Sequence, residues 1–561
     1  MRISVSTSII LATVLILATD AGNAAVPVVK PRLVVVVTLD QFPYEYLARY
    51  RQFYGQGGLR YLLDGGAVFT NASFKHANTS TGPGHAVILS GTYARTNGIS
   101  RNSWYDRNLG RSVYCVEDPS VEILGAKAEG RSPANYKMYT YGDMLRIGTA
   151  FKAKSIAISN KDRAAVLPGG KLANLVLWQV DSAFVSSTYY VKELPPWVKK
   201  FNASGLSNSY FGKHWERSLP PSAFATVDRD DAPYEGFPAG QGRSFPHPIV
   251  GDSASHITSS YYGSLLASPY GAELLAALAR EAVIAEQLGT RGVTDLLSVS
   301  FSSPDYVGHE YGPNSQEMLE MNVQMDRILA EFFRFLDKQV GLSQCIIVLT
   351  ADHGVSPIPA YVSHTIGRTI FQKLEGKVIR ARAESLLTAR FGTPGSGKWV
   401  ESLSGGALFI SPAALTHTGV SAEIAAGVVC DDMRRRPEVV AAYTRGQILA
   451  LTNGSRLEQR IRNSFNDERS GDAIITYSPF WKDNPGEHGA SHGEPIESDA
   501  HVPVIFRGPG IRPGTYDADA SPADIAPTLS ALTGVEFTPL REGRVLIEAL
   551  DRTTGTAKIR R

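Results

Sequence analysis

Four short segments carry side chains able to hold divalent metal ions: Asp40; Asp305-Tyr306-Val307-Gly308-His309; Asp352-His353-Gly354; and His492-Gly493. Carboxylate oxygens and imidazole nitrogens are the normal ligands of a catalytic zinc that lacks thiolates. Six such ligands are enough for two metals with three each, leaving positions open for a nucleophile and a substrate oxygen. Two metals ~3.5–4 Å apart clamp the attacking and leaving oxygens of an in-line displacement. Each segment alone is weak, because a lone histidine is more often a surface or core residue than a ligand. The chain has 12 histidines. His488 competes with its neighbour His492, and His76, His85 and His501 read equally as structural or supporting residues. The joint order and placement of the six ligands point to one two-metal site.

Thr81 lies in Asn78-Thr79-Ser80-Thr81-Gly82-Pro83-Gly84-His85, just before the apolar stretch Ala86-Val87-Ile88-Leu89. A hydroxyl at a helix start is usually an N-cap. The same position can present its oxygen to a metal, with backbone N–H groups facing an anion. Metal binding would lower the hydroxyl pKa and make threonine a nucleophile. Ser159-Asn160-Lys161-Asp162-Arg163 follows the strand-like Ile156-Ala157-Ile158. Lys161 and Arg163 read either as surface charges beside Asp162 or as phosphate contacts, Lys as a point charge and Arg as a bidentate donor.

The elements that must position these groups are legible as apolar runs. Leu33 to Leu39 runs into Asp40, Leu296 to Phe301 runs towards Asp305, and Ile346 to Thr350 runs into Asp352-His353; Val504-Ile505-Phe506 is a further strand candidate. Such runs suit strands buried on both faces, as in a parallel sheet covered by helices. Helical patterns lie between them, at Ala272 to Leu288 and Gln316 to Val340. The expectation is a doubly wound α/β fold with a mostly parallel sheet, whose ligands collect at the carboxyl ends of the strands. Stretches at about 165–268 and about 356–479 break the pattern and read as cap insertions, the second with a helix from Ser421 to Arg435 and Ser421 as its N-cap. The catalytic unit is placed at 25–551 and a polar tail at 552–561.

Of 561 residues, 43% are hydrophobic and 20% charged, with a formal net charge of +2, so no nucleic-acid partner is implied. Residues 1–24 read as a secretory signal: Arg2, an apolar stretch from Ile9 to Ala18, then Ala21-Gly22-Asn23-Ala24-Ala25. An uncleaved anchor is the alternative. A soluble, periplasmic or secreted protein with no membrane attachment after signal removal is expected. Cys115, Cys345 and Cys430 form no CxxC pair, which excludes a thiolate zinc cluster and a disulfide framework.

Taken as an ordered set, these motifs resemble the nucleotide pyrophosphatase/phosphodiesterase-like branch of the alkaline phosphatase superfamily, nearest to its PafA-type threonine-nucleophile bacterial alkaline phosphatases. The resemblance runs from Leu33 to about Leu550 and includes Asp524-Ile525-Ala526-Pro527-Thr528-Leu529. It implies two Zn2+ per chain: one held by Asp40, Asp352 and His353 and also binding Thr81, the other held by Asp305, His309 and His492. Thr81 would attack phosphorus and form a phospho-threonine intermediate that is then hydrolysed. Asn102, in Arg101-Asn102-Ser103-Trp104, and Lys161 and Arg163 stand where the monoesterases contact the phosphoryl oxygens. Asp40, Asp305, Asp352 and a Thr81 alkoxide bring about four negative charges against about four positive ones from two zinc ions. A monoester dianion therefore requires the extra cations, which favours phosphate monoesters over diesters as substrates. A sulfatase requires a Cys or Ser at position 81 and a following Arg, and a cofactor-independent phosphoglycerate mutase would use Ser in the cytosol. A metal-binding protein without catalysis is the alternative of another class.

Overall fold

Seven consecutive buried residues, Leu33–Leu39 (β1), form the centre of a 10-stranded sheet. The protein is seen here in a computed structural model, which describes residues 30–551 except 370, 371, 375, 396, 453, 479, 480 and 484–487. The expected signal segment and polar tail lie outside the described residues. The other strands are Ala67–Phe69 (β2), Ile123–Leu124 (β3), Ser155–Ser159 (β4), Leu175–Val180 (β5), Ala183–Ser187 (β6), Asp295–Phe301 (β7), Cys345–Thr350 (β8), Val504–Arg507 (β9) and Gly514–Tyr516 (β10). Their order is β10-β2-β9-β8-β1-β7-β4-β5-β6-β3. The run β8-β1-β7-β4-β5 is parallel throughout. Beyond it, β9 pairs antiparallel with β8 and β2, and β6 pairs antiparallel with β5 and β3.

Alternate residues of a strand face opposite sides. Val35, Val37 and Leu39 enter one core cluster with Leu275, Leu278 and Phe332. Val34 and Val36 enter the other with Leu89, Ile525 and Leu529. Burial on both faces explains why β1 is apolar at every position but Thr38 instead of alternating. The helices expected at Ala272 to Leu288 and Gln316 to Val340 occur at Pro269–Ala285 and Gln316–Gln339.

The stretch expected to be inserted at about 165–268 begins inside the sheet, because β5 and β6 are sheet strands. Their Trp178, Phe184 and Val185 are buried against the core, which the weak periodicity of the region conceals. Within the second expected insertion, Val400–Ser404, Ala407–Ile410, Ala473–Tyr477 and Val439–Thr444 form a separate antiparallel sheet in that order. Helices Gly376–Phe391 and Ala422–Met433 cover it, and the Ser421 side chain accepts from Ile424 N at 3.3 Å. Ile379, Trp399, Leu408 and Val429 build its own core. Cys115, Cys345 and Cys430 are buried free thiols. Among the described residues no single helix is long and apolar enough to cross a membrane.

Candidate active site

Parallel strands deliver their carboxyl ends to one edge, and the candidate residues follow those ends. Asp40 follows β1, Asp352 and His353 follow β8, Lys161 follows β4, and Asp305 sits in the first turn of helix Ser303–Tyr311 after β7. Thr38 pairs with both Ser300 and Thr350, so register brings Asp40 beside Asp352 and beside the end of β7, from which helix Ser303–Tyr311 carries Asp305. Thr81 opens helix Thr81–Ser90, whose ten residues are all buried. Gly84 in that helix allows close contact: a Cβ there would lie 2.1 Å from the Asp352 carbonyl oxygen.

Ligand atoms of Asp40, Asp352 and His353 lie within 4.8 Å of one another, as do those of Asp305, His353 and His492. His353 thus belongs to both groupings. His309, expected in the second, lies beside it: its Nε2 is 3.2 Å from Asp305 Oδ1, and its ring centre is 5.1 Å from that of His492. The three imidazoles are oriented alike. Nδ1 of His309, His353 and His492 donates to the carbonyls of Ala490 (2.9 Å), Gly354 (2.9 Å) and Thr79 (2.7 Å), which leaves each Nε2 as the acceptor nitrogen. Asp40 Oδ1 and Asp352 Oδ2 are buried and make no hydrogen bond of good geometry among the described residues, although His85 Nδ1 lies 3.1 Å from Asp352 Oδ2. Buried carboxylate oxygens short of hydrogen bonds, Asp40 Oδ1 above all, beside inward Nε2 atoms fit a divalent cation, and an oxygen-and-imidazole set without thiolates fits zinc.

Electrostatics follow from this crowding. Burial, and then the Asp305 and Asp352 carboxylates, push the Asp40 carboxyl well above the ordinary range. Burial also opposes ionisation of Asp305 and Asp352, but His309 and Lys161 hold Asp305 well below its ordinary value, and His353 and His85 hold Asp352 below it. Burial, reinforced by His353 and His309, drives His492 well below the usual histidine value, which favours the neutral form, the one able to bind a metal. Lys161 Nζ contacts Asp40 Oδ2 at 2.8 Å and Asp305 Oδ2, over the Tyr306 ring. Burial opposes its charge, and those two carboxylates more than reverse that, raising its pKa.

Around Thr81, Oγ1 accepts from Arg163 Nη2 at 3.4 Å and lies 3.5 Å from His353 Nε2. Arg163 Nη1 donates to Tyr114 OH at 3.1 Å, and Tyr114 OH donates to Asp162 Oδ1 at 2.5 Å. Asn102 Oδ1 accepts from Gly82 N at 2.7 Å. The expected residues therefore converge, with His309 at the margin and Lys161 on two carboxylates. His488 is exposed, whereas His85 is a buried support that donates from Nδ1 to the Thr81 carbonyl at 2.9 Å.

Sequence reasoning missed Gln41, Tyr114 and Asp499. Gln41 binds both carboxylate groups: N to Asp352 Oδ1 (3.2 Å) and Nε2 to Asp305 Oδ1 (2.8 Å). A Cβ on Gly308 would lie 1.9 Å from Gln41 Oε1, so that glycine makes room for it. Asp499 Oδ2 accepts from Gly493 N and Glu494 N, each at 3.0 Å, fixing the His492 loop. Adjacency of Gln41 to Asp40 was the one available signal.

Residues 34–494 match the type I phosphodiesterase / nucleotide pyrophosphatase family. Over 530 residues the chain is 34% identical to alkaline phosphatase PhoV of Synechococcus elongatus, covering 93% of this chain and 94% of that protein. It is 30% identical over 534 residues to alkaline phosphatase PafA of Elizabethkingia meningoseptica, covering 94% and 96%. The crystal structure of PafA matches with a TM-score of 0.86 at 29% identity, over 93% of this chain and 100% of that one. This chain belongs to the type I phosphodiesterase / nucleotide pyrophosphatase family, within which it is an enzyme of the alkaline phosphatase group.

Proposed function

We propose that the protein is an exported phosphomonoesterase that binds two zinc ions and releases inorganic phosphate through a phospho-threonine on Thr81. The observation that carries this reading is the approach of two cationic side chains to one hydroxyl and its carboxylates: Arg163 Nη2 lies 3.4 Å from Thr81 Oγ1, and Lys161 reaches Asp40 and Asp305. A dianionic phosphoryl group calls for cations beyond the metals, and a diester monoanion calls for fewer. Asp40, Asp352 and His353 would hold one ion, and Asp305, His492 and the marginal His309 the other; His353 falls in both groupings of ligand atoms. Bound divalent cations would lower the pKa of the Thr81 hydroxyl and offset charge building on the phosphoryl oxygens.

The chain's own groups do the rest. Helix Thr81–Ser90 holds Oγ1 in place for in-line attack. Arg163, fixed by Tyr114 and Asp162, stabilises the deprotonated oxygen and the phosphoryl group. A bond forms between Thr81 Oγ1 and phosphorus as the bond from phosphorus to the ester oxygen breaks, and the freed alkoxide takes up a proton. Water then adds to phosphorus and the Thr81 Oγ1 bond breaks, regenerating the hydroxyl. Export is supported by Arg2, the apolar stretch from Ile9 to Ala18 and the small residues to Ala25.

The test is kcat/KM of the zinc-loaded mature protein for an aryl phosphate and for its methyl diester with the same leaving group. A large preference for the monoester is expected. A preference for the diester would place the chain with the phosphodiesterases of its family and return Lys161 and Arg163 to a structural role. Turnover of neither would make it a metal-binding protein without catalysis.

A further inference from the structure

A cavity of about 580 Å³ borders the site through Asn102 and His492. The Ser100–Tyr105 segment forms one wall, and the small sheet forms the other through Ser402, Phe409 and Thr476. Two guanidinium groups line it, Arg101 and Arg469. Arg101 Nη2 donates to the Gly405 carbonyl. Arg469 Nη1 donates to the carbonyls of Gly98 (2.8 Å) and Asn135 (2.5 Å), and the guanidinium lies 4.6 Å over the Trp104 ring. Among the described residues neither arginine forms an ion pair, in contrast to Arg107 nearby, which is bound to Asp472 at 3.0 Å.

Burial lowers the pKa of both, and the neighbouring acids only partly restore it: Glu494 acts on Arg101, and Glu468 and Asp106 act on Arg469. Glu468 is itself engaged by Lys137 at 2.7 Å. Glu494 is the acidic residue of the cavity wall, so two cations face one carboxylate there. Ser100 Oγ, on a residue 5% exposed, lines the same cavity and has no hydrogen-bond partner among the described residues. Carbonyl oxygens solvate a guanidinium without neutralising it. Its planar fork matches a carboxylate better than any other anion but phosphate.

We infer that this cavity receives the leaving group of the substrate and that Arg101 and Arg469 select leaving groups bearing a carboxylate, that is, phosphoesters of hydroxy acids. This rests on the monoesterase reading above. The ester oxygen departs towards Asn102 and His492, and the carboxylate sits between the two arginines, with Ser100 as an added donor.

Two substrates isolate the effect: 3-phosphoglycerate and glycerol 3-phosphate. Both release a primary alkoxide beside a hydroxyl, and they differ by a carboxylate against a hydroxymethyl group. The ratio of their kcat/KM values, measured on the full zinc-loaded protein, is expected to favour 3-phosphoglycerate by about tenfold and to shrink as salt is raised. Arg101→Gln and Arg469→Gln are each expected to lower that ratio at least about threefold. General damage to the fold would reduce both rates and leave the ratio alone. Arg469→Lys covers the case in which Arg469→Gln does not fold, because it keeps the charge, loses the fork and still lowers the ratio. A wild-type ratio at or below one, or a ratio unmoved by the arginine variants, overturns the inference. Turnover of neither monoester alongside turnover of an aryl methyl diester would instead overturn the monoesterase reading, and the inference with it.

Discussion

Gln41 adopts a φ of 57°, in the left-handed region that disfavours residues with a Cβ. Such a backbone costs about 1 kcal/mol and persists where surrounding contacts over-determine it. Here those contacts reach two carboxylates of different groupings, Asp305 and Asp352. Gln41→Ala keeps the backbone bond and removes the amide, so affinity for a divalent metal should fall ~10–100-fold in a chelator competition. Unchanged affinity would show that the amide does not orient Asp305. Thr81→Ala removes the only hydroxyl within reach of both Arg163 and His353 among the described residues. It should lower turnover at least ~1,000-fold and abolish the burst of alcohol release, with thermal unfolding unaltered. Near-normal turnover would end the assignment of the nucleophile.

At the level of elements, helix Thr81–Ser90 begins without the cap its sequence suggests. Ser80 occupies the N-cap position and makes no side-chain capping bond. Asn102, from a distant loop, accepts from Gly82 N in its place. Thr81 is the first residue inside the helix, one past the capping position, and its Oγ1 faces Arg163. Two variants separate capping from phosphate contact. Asn102→Ala should cost about 1 kcal/mol in urea unfolding as well as activity. Asn102→Asp keeps the acceptor at a helix N-terminus, so stability should hold, while a new negative charge beside an anionic phosphate ester should lower kcat/KM at least ~10-fold. Equal activity in Asn102→Asp and the wild type would make Asn102 a cap alone.

Across the whole molecule, the segment after β6 ties together elements of the site that are distant in sequence. Gly236 N donates to the Glu310 carbonyl at 2.7 Å, and Gly489 N to the Tyr234 carbonyl at 2.9 Å, joining this segment to the His309 helix and the His492 loop. Glu235, 1% exposed, lies among these contacts, and burial followed by the Glu317 carboxylate pushes its pKa from 4.5 to about 9. A folded-state pKa above the unfolded one favours the fold fully below the unfolded value, and that contribution is lost as pH rises through the folded value. Wild-type stability should therefore decline relative to Glu235→Gln between about pH 4.5 and about pH 9 and run parallel to it above. Denaturant unfolding of both proteins across that range checks this, and a constant difference would contradict the shifted carboxyl.

Much of this is written in the chain itself. Apolar-rich runs ending in acids announced β1, β7 and β8 and the edge on which the candidate residues lie, because a strand buried on both faces is dominated by apolar residues and keeps only small hydroxyls among them, such as Thr38, Ser298 and Ser300. The ligand types and the Thr81 segment were equally visible, because metal chemistry demands particular side chains. Three-dimensional packing decided the rest. Gln41 meets Asp352 across 311 positions and Asp305 across 264. No local propensity encodes such distances, and only sheet register and crossover order set them. That is why His353 stands in both groupings with His309 at the margin, and why Lys161 lies on Asp40 and Asp305. The same packing of the small sheet against the Ser100–Tyr105 segment forms the cavity that holds Arg101 and Arg469, residues 368 positions apart that neither motif nor periodicity connects.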